Sequence, residues 1–332
     1  MTRLGQGSFQ YELVEGWEQL PAGWTHGDVA GVATDADDRV YVFNRSEHPM
    51  ILYDRNGRFL TSWGEGVFDH PHGITIAGGH AYTTDDGDHT VRKFTLDGEL
   101  LLTIGTPHVP SDTGYDRSRP DSLRTITRPA GPFNRPTRVA VAPNGELFVA
   151  DGYGNARVHR FSPDGRLLAS WGEPGEGPGQ FNLPHAIWLH TDGRLFVCDR
   201  ENDRIQIFTV DGTFLEQWTN VTRPGDLYID AAENVYIGEL YWMGGKTSLS
   251  GRVWPEERPS TMTVRSIDGA VRSRFGGGAG ADPCMAENFT SPHGIAVDSL
   301  GDVYVAEVSQ TSYQGTIYRP GCHSLQKFRQ VR

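Results

Sequence analysis

Three of the twelve histidines in this 332-residue chain share one context. Pro71-His72, Pro184-His185 and Pro292-His293 each open a short apolar run, at separations of 113 and 108 residues. Three imidazoles with a fourth position left open are the ligand set of a catalytic zinc site. Copper, iron, cobalt or nickel would also accept three nitrogens. The alternative is three packed histidines, each holding a backbone carbonyl and copied by descent.

The elements that must carry these histidines repeat. Residues 135–173 (RPTRVAVAPNGELFVADGYGNARVHRFSPDGRLLASWGE) and 183–218 (LPHAIWLHTDGRLFVCDRENDRIQIFTVDGTFLEQW) follow one script. It runs apolar strand, polar turn, strand ending in Asp, loop, third strand, Asp-Gly turn, and a fourth strand closing on Trp. Asn-Gly and Asp-Gly pairs at 56–57, 97–98, 144–145, 164–165, 211–212 and 268–269 are hairpin signals. Six copies, at about 28–66, 69–105, 135–173, 183–220, 222–278 and 291–330, predict an all-β fold. This is a six-bladed β-propeller of four-stranded antiparallel blades, read as a single domain over 1–332. The last copy lacks a strand, and the strand-like segment 9–20 is expected to complete it; a free N-terminal arm is the other reading. Two stretches rich in Pro, Gly and Ser, 106–134 and 243–260, break the rhythm and read as loops roofing the pocket.

Aligned on their first strand, the copies open with Ala30, His72, Thr137, His185, Gly225 and His293. Histidine alternates with a small residue, and descent alone does not explain occupancy of every second copy. The loops after the second strands bring further groups: Arg45, Tyr153, Arg200, Glu239 and Tyr241. Two guanidiniums at one slot suit a ligand carboxylate; pairing of each with Glu47, Asp199 or Glu201 is equally compatible. Tyr153 beside a divalent ion could act as a general base, or be a buried aromatic with a satisfied hydroxyl. Glu239 and Tyr241 are read with the arginines as substrate-facing. Asp85, Asp151 and Asp199 read as loop ties.

Lys and Arg number 30 against 42 Asp and Glu, a net charge of −12, with no basic stripe for nucleic acid. No apolar run reaches a membrane-spanning length, and the N-terminus shows no signal-peptide pattern. Three cysteines make no disulfide framework and suggest thiols in a reduced, cytoplasmic setting. No obligate protein partner is implied.

At 151–189 and 198–208 the sequence resembles the peptidyl-α-hydroxyglycine α-amidating lyases, propellers of NHL-type repeats. The resemblance is dense over the third and fourth copies and thinner elsewhere. It implies zinc ligands at His72, His185 and His293, a catalytic tyrosine at Tyr153, and active-site arginines at Arg45 and Arg200. It further implies cleavage of a carbinolamide to an amide and glyoxylate. Gly154 stands where that family has a disulfide-forming Cys. Ser291 and Gly294 replace the Met and Asp flanking Pro-His, which changes the pocket and weakens the case for a structural calcium.

The expected function is therefore a metal-dependent, zinc-type lyase acting on a small carboxylate-bearing α-hydroxy-acid carbinolamide or hemiaminal, releasing an amide or amine and an aldehyde. A non-catalytic NHL-propeller scaffold, or a lactone or ester hydrolase using the same metal, are the alternatives.

Overall fold

A computed structural model of the chain describes residues 2–278, 280–311 and 322–332. Its strands form six antiparallel sheets, a six-bladed β-propeller almost free of helix. The repeat script is met strand for strand. Blade one is Val29–Thr34, Val40–Asn44, Met50–Tyr53 and Phe59–Trp63; blade two is Pro71–Ala77, His80–Asp85, Thr90–Thr95 and Leu100–Ile104. Blade three is Pro136–Val141, Leu147–Asp151, Arg157–Phe161 and Leu167–Trp171; blade four is Pro184–Leu189, Arg194–Asp199, Arg204–Thr209 and Phe214–Trp218. Blade five is Pro224–Ile229, Asn234–Glu239, Thr261–Ser266 and Val271–Phe275; blade six contributes Pro292–Val297, Val303–Glu307 and Leu325–Gln330.

The hairpin signals are used as read. Gly57, Gly98, Gly145, Gly165, Gly212 and Gly269 all sit at positive φ, which only glycine adopts without strain. Gly212 has a second reason to lack a side chain: a Cβ there would lie 2.6 Å from the ring of Trp171 in the preceding blade. The closing tryptophan thus packs between blades.

Contacts divide the chain into two compact units: Met1–Gly66 with Gly225–Gly244 and Pro255–Arg332, and Val67–Pro224 with Gly245–Trp254. Within each, the apolar residues lie between adjacent sheets. In the second unit one cluster joins Tyr82 and Val91 of blade two to Val139, Val149 and Phe161 of blade three. Another joins Phe148 and Val158 to Ile187, Val197 and Phe208 of blade four. In the first unit Tyr236, Met262 and Phe275 of blade five meet Ile295, Val305 and Phe328 of blade six. Second strands such as VYVFN and LFVAD are buried on both faces, which is why they read as continuous apolar runs, whereas the fourth strands expose Leu60, Leu168 and Leu215.

Blade six is completed from the N-terminus: Phe9–Leu13 pairs antiparallel with Leu325–Gln330, with Tyr11 opposite Gln330. The expected strand over 9–20 is shorter, ending at Leu13 where Gly16 turns at φ 60°. Leu4–Gln6 adds a fifth, outermost strand that the repeat pattern did not show.

The cysteines also depart from expectation. Cys284 and Cys322 form a disulfide with Cα atoms 4.9 Å apart, and Cys198 is a buried free thiol. This removes the cysteine argument for a reduced compartment.

Candidate metal and catalytic site

Five of the six slot residues of the alignment fall at an irregularity of the first strand. Pairing with the second strand shifts register across Ala30, across Thr137, across His185 and across His293, and across His72 with Gly73. A bulge leaves the extra residue out of the ladder and re-aims its side chain. Proline before the slot in blades two, three, four and six suits such a place, since it has no N–H to give the ladder. The second strands end in Asp85, Asp151, Asp199 and Glu307, whose carboxylates accept backbone N–H groups of Asp69, Asn134, Asn182 and Thr290 at 2.7–2.9 Å. They tie down the segment entering the first strand as well as the loop after the second.

Three histidines are buried here. His72 Nδ1 donates to the carbonyl of Thr137 at 2.7 Å, and His293 Nδ1 donates to that of Ala30 at 2.7 Å. Each acceptor is the slot residue of the next blade. A carbonyl can only accept, so both rings carry the proton on Nδ1 and turn the lone pair of Nε2 elsewhere. That is how an outer hydrogen bond fixes a metal-binding imidazole. His72 and His185 of the second unit and His293 of the first each offer one ring nitrogen, and three such imidazoles are a set that could hold a metal ion. The carbonyl bonds foreseen for merely packed histidines are present, and they serve a ligand set equally well.

Tyr153, 4% exposed, lies against this pair of rings in the second unit. Its hydroxyl is 3.2 Å from His185 Nε2 and accepts from Arg200 Nη1 at 3.2 Å. The rings of His72 and His185 are 4.9 Å apart, with Tyr153 5.4 and 5.7 Å from them. Arg200 is buried and held by Glu201, which also accepts from Arg223 at 2.9 Å. Burial pushes the Glu201 carboxyl up, but Arg223 and Arg200 outweigh it and bring it down to about 2. The arginine therefore sits beside a permanent carboxylate.

Arg45, in the first unit, stands 3.6 Å from Asp28. It lines a cavity of about 740 Å³ with Trp24, His26, His48 and Gln310. Glu239 accepts the hydroxyl of Thr263 and is 4% exposed, a structural contact like those of its counterparts in other blades. The Tyr241 hydroxyl donates to Glu257 at 3.2 Å, and burial with that carboxylate beside it pushes the phenol up to about 12.

Two features escaped the sequence reading. The long loops dock on each other: Leu123 N–H donates to the Leu249 carbonyl at 3.0 Å and Arg124 to that of Ser250 at 2.9 Å. Leu123 and Ile126 then pack on Tyr153 and Leu183, which encloses the phenol. The other feature is Arg135, whose guanidinium carbon lies 5.2 Å from the Tyr153 ring centre, on a ring that Arg200 approaches at 5.3 Å. The signal lay two positions before the slot, where the blades carry Asp28, His70, Arg135, Leu183, Arg223 and Ser291.

The NHL repeat pattern matches residues 133–161, 181–208 and 289–311. These NHL repeats fall in blades three, four and six of the propeller. It is 32% identical over 289 residues to peptidyl-alpha-hydroxyglycine alpha-amidating lyase 1 of Drosophila melanogaster, covering 81% of this chain and 48% of that one. It is 35% identical over 224 residues to NHL repeat-containing protein 3 of Homo sapiens, covering 63% and 60%. The chain spans about half the length of these curated relatives. Among solved structures, a streptogramin B lyase superposes with a TM-score of 0.58 at 16% identity over 98% of both chains, a likeness of fold.

Proposed function

We propose that this NHL propeller is a metal-dependent lyase that splits a small carbinolamide or hemiaminal bearing a carboxylate. The products would be an amide or amine and an aldehyde such as glyoxylate. Relatives named as amidating lyases support an amidating-lyase-like function. The observation that carries the reading is the buried pair His72 and His185 with the Tyr153 hydroxyl at His185; His293, buried in the equivalent slot of blade six, is the third imidazole of the proposed ligand set.

A zinc or similar divalent ion on the three histidines would supply Lewis acidity that favours the ionised hydroxyl of the substrate. Tyr153 accepts the hydroxyl proton, with Arg200 donating to its oxygen throughout. Arg45 and Arg200 are the groups for the substrate carboxylate. As the carbon–oxygen bond becomes a carbonyl, the carbon–nitrogen bond breaks, and the proton on Tyr153 returns to the leaving nitrogen. The docked long loops keep bulk water from the phenol. The substrate is a small molecule, and neither nucleic acid nor membrane is invoked.

The test uses protein purified without an affinity tag. About one equivalent of a divalent metal is expected, and its loss when all three histidines are changed to alanine. α-Hydroxyglycine derivatives should release glyoxylate, and Tyr153→Phe should lower kcat by roughly 10²-fold or more with metal retained. Full activity in Tyr153→Phe removes its role. Absence of bound metal favours a second reading, a non-catalytic scaffold, which draws on the relative named only for its repeats.

A further inference from the structure

Tyr153 is gripped from two sides, and only one of the grips belongs to the chemistry proposed above. Arg200 donates to the hydroxyl. Arg135 approaches the ring itself, with its guanidinium carbon 5.2 Å from the ring centre. Both cations are nine-tenths buried, and each is held by a buried carboxylate, Glu201 for Arg200 and Asp86 for Arg135. Asp86 is held in turn by His70 Nδ1. The chain His70–Asp86–Arg135 therefore ends on the face of a phenol.

The backbone makes the same connection. Tyr153 N–H points to the Arg135 carbonyl, at 3.4 Å. Arg135 itself has φ 66°, a left-handed conformation that is unfavourable for a residue with a Cβ. Its own N–H donates to His89 Nδ1 at 3.1 Å, which helps hold that conformation. Strain of this kind persists where the surroundings over-determine it, often at functional sites. Arg135 Nε is buried with no hydrogen-bond partner among the described residues. The ring of Tyr153 lies against this buried guanidinium, a cation–π contact worth more when desolvated.

We infer that Arg135 is a positioning residue, set by Asp86 and His70, that fixes the ring of Tyr153 so that its hydroxyl stays at His185. This rests on the lyase reading for its kinetic effect, and on geometry alone for the placement of the ring.

Two measurements separate the two. In turnover of an α-hydroxyglycine derivative, Arg135→Gln should lower kcat roughly tenfold while KM and metal content stay near wild type. Arg135→Lys, which keeps the cation, should recover part of the loss. In a Tyr153→Phe background, where the hydroxyl to be positioned is gone, Arg135→Gln should have little further effect, because coupled residues are not additive. Equal losses in both backgrounds, or a loss seen only as raised KM, overturn the role. The second measurement needs no turnover: the visible spectrum of the Co²⁺-loaded protein reports the surroundings of the histidine-bound ion. Arg135→Gln should shift that spectrum in the same direction as Tyr153→Phe, and an unchanged spectrum overturns the inference. If wild type shows the spectrum and its shift but no glyoxylate release, the lyase reading fails and the positioning role stands.

Discussion

At the scale of single residues, one slot accounts for most of the site. A bulge takes the residue after proline out of its ladder, and the carbonyl of the next blade's slot residue fixes the ring that results. The three histidines were legible because alternation shows in the repeats themselves. Arg135 was not, because its role comes from a left-handed backbone and a face-on contact that no spacing rule announces. His26 makes a different prediction. It is buried with Nε2 3.0 Å from the Tyr53 hydroxyl, and burial lowers it from 6.5 to about 4. The folded state therefore keeps it neutral, while the unfolded chain binds a proton below about 6.5. Its contribution is complete above that pH and is lost as pH falls toward about 4, roughly 3 kcal/mol in all. His26→Gln should flatten the acid limb of denaturant midpoint against pH between those values; an unchanged limb would show that other groups set it.

At the scale of elements, position across a blade decides what a side chain is worth. Phe328, on the third strand of blade six, is fully buried among Phe275, Phe289 and Val303. Leu215, on the outer strand of blade four, is 47% exposed. Phe328→Ala should cost about 3–5 kcal/mol in urea denaturation, and Leu215→Ala less than about 0.5 kcal/mol. Similar losses at the two positions would contradict the gradient of burial from inner to outer strands. The blade pattern was readable from the sequence because every copy repeats its turns and its apolar second strand. The extra strand Leu4–Gln6 was not, since three residues carry no period. Nor was the docking of the long loops, which depends on two short stretches more than a hundred residues apart finding each other's backbone.

At the scale of the whole chain, two long-range links stand out. The disulfide joins cysteines 38 residues apart, and closing a loop of that length stabilises by about 3–4 kcal/mol in the chain-entropy account. Replacing both Cys284 and Cys322 by serine, or adding reductant, should lower the urea midpoint accordingly. Identical curves with and without reductant would show that the link does not matter to folding. The sequence count of three thiols could not reveal the pair, because proximity of Cys284 to Cys322 exists only once blade six has formed. The other link is the pairing of Phe9–Leu13 with Leu325–Gln330, across more than 300 residues. On the ribosome the earlier strand emerges more than 300 residues before its mate. Until the mate emerges, Phe9 and Tyr11 lack Phe328 of their cluster, and the strand's open edge is a template for association with other chains. Nascent chains stalled before Leu325 should therefore be the aggregation-prone species of this protein, and overexpression should be limited by the time the first strand spends waiting.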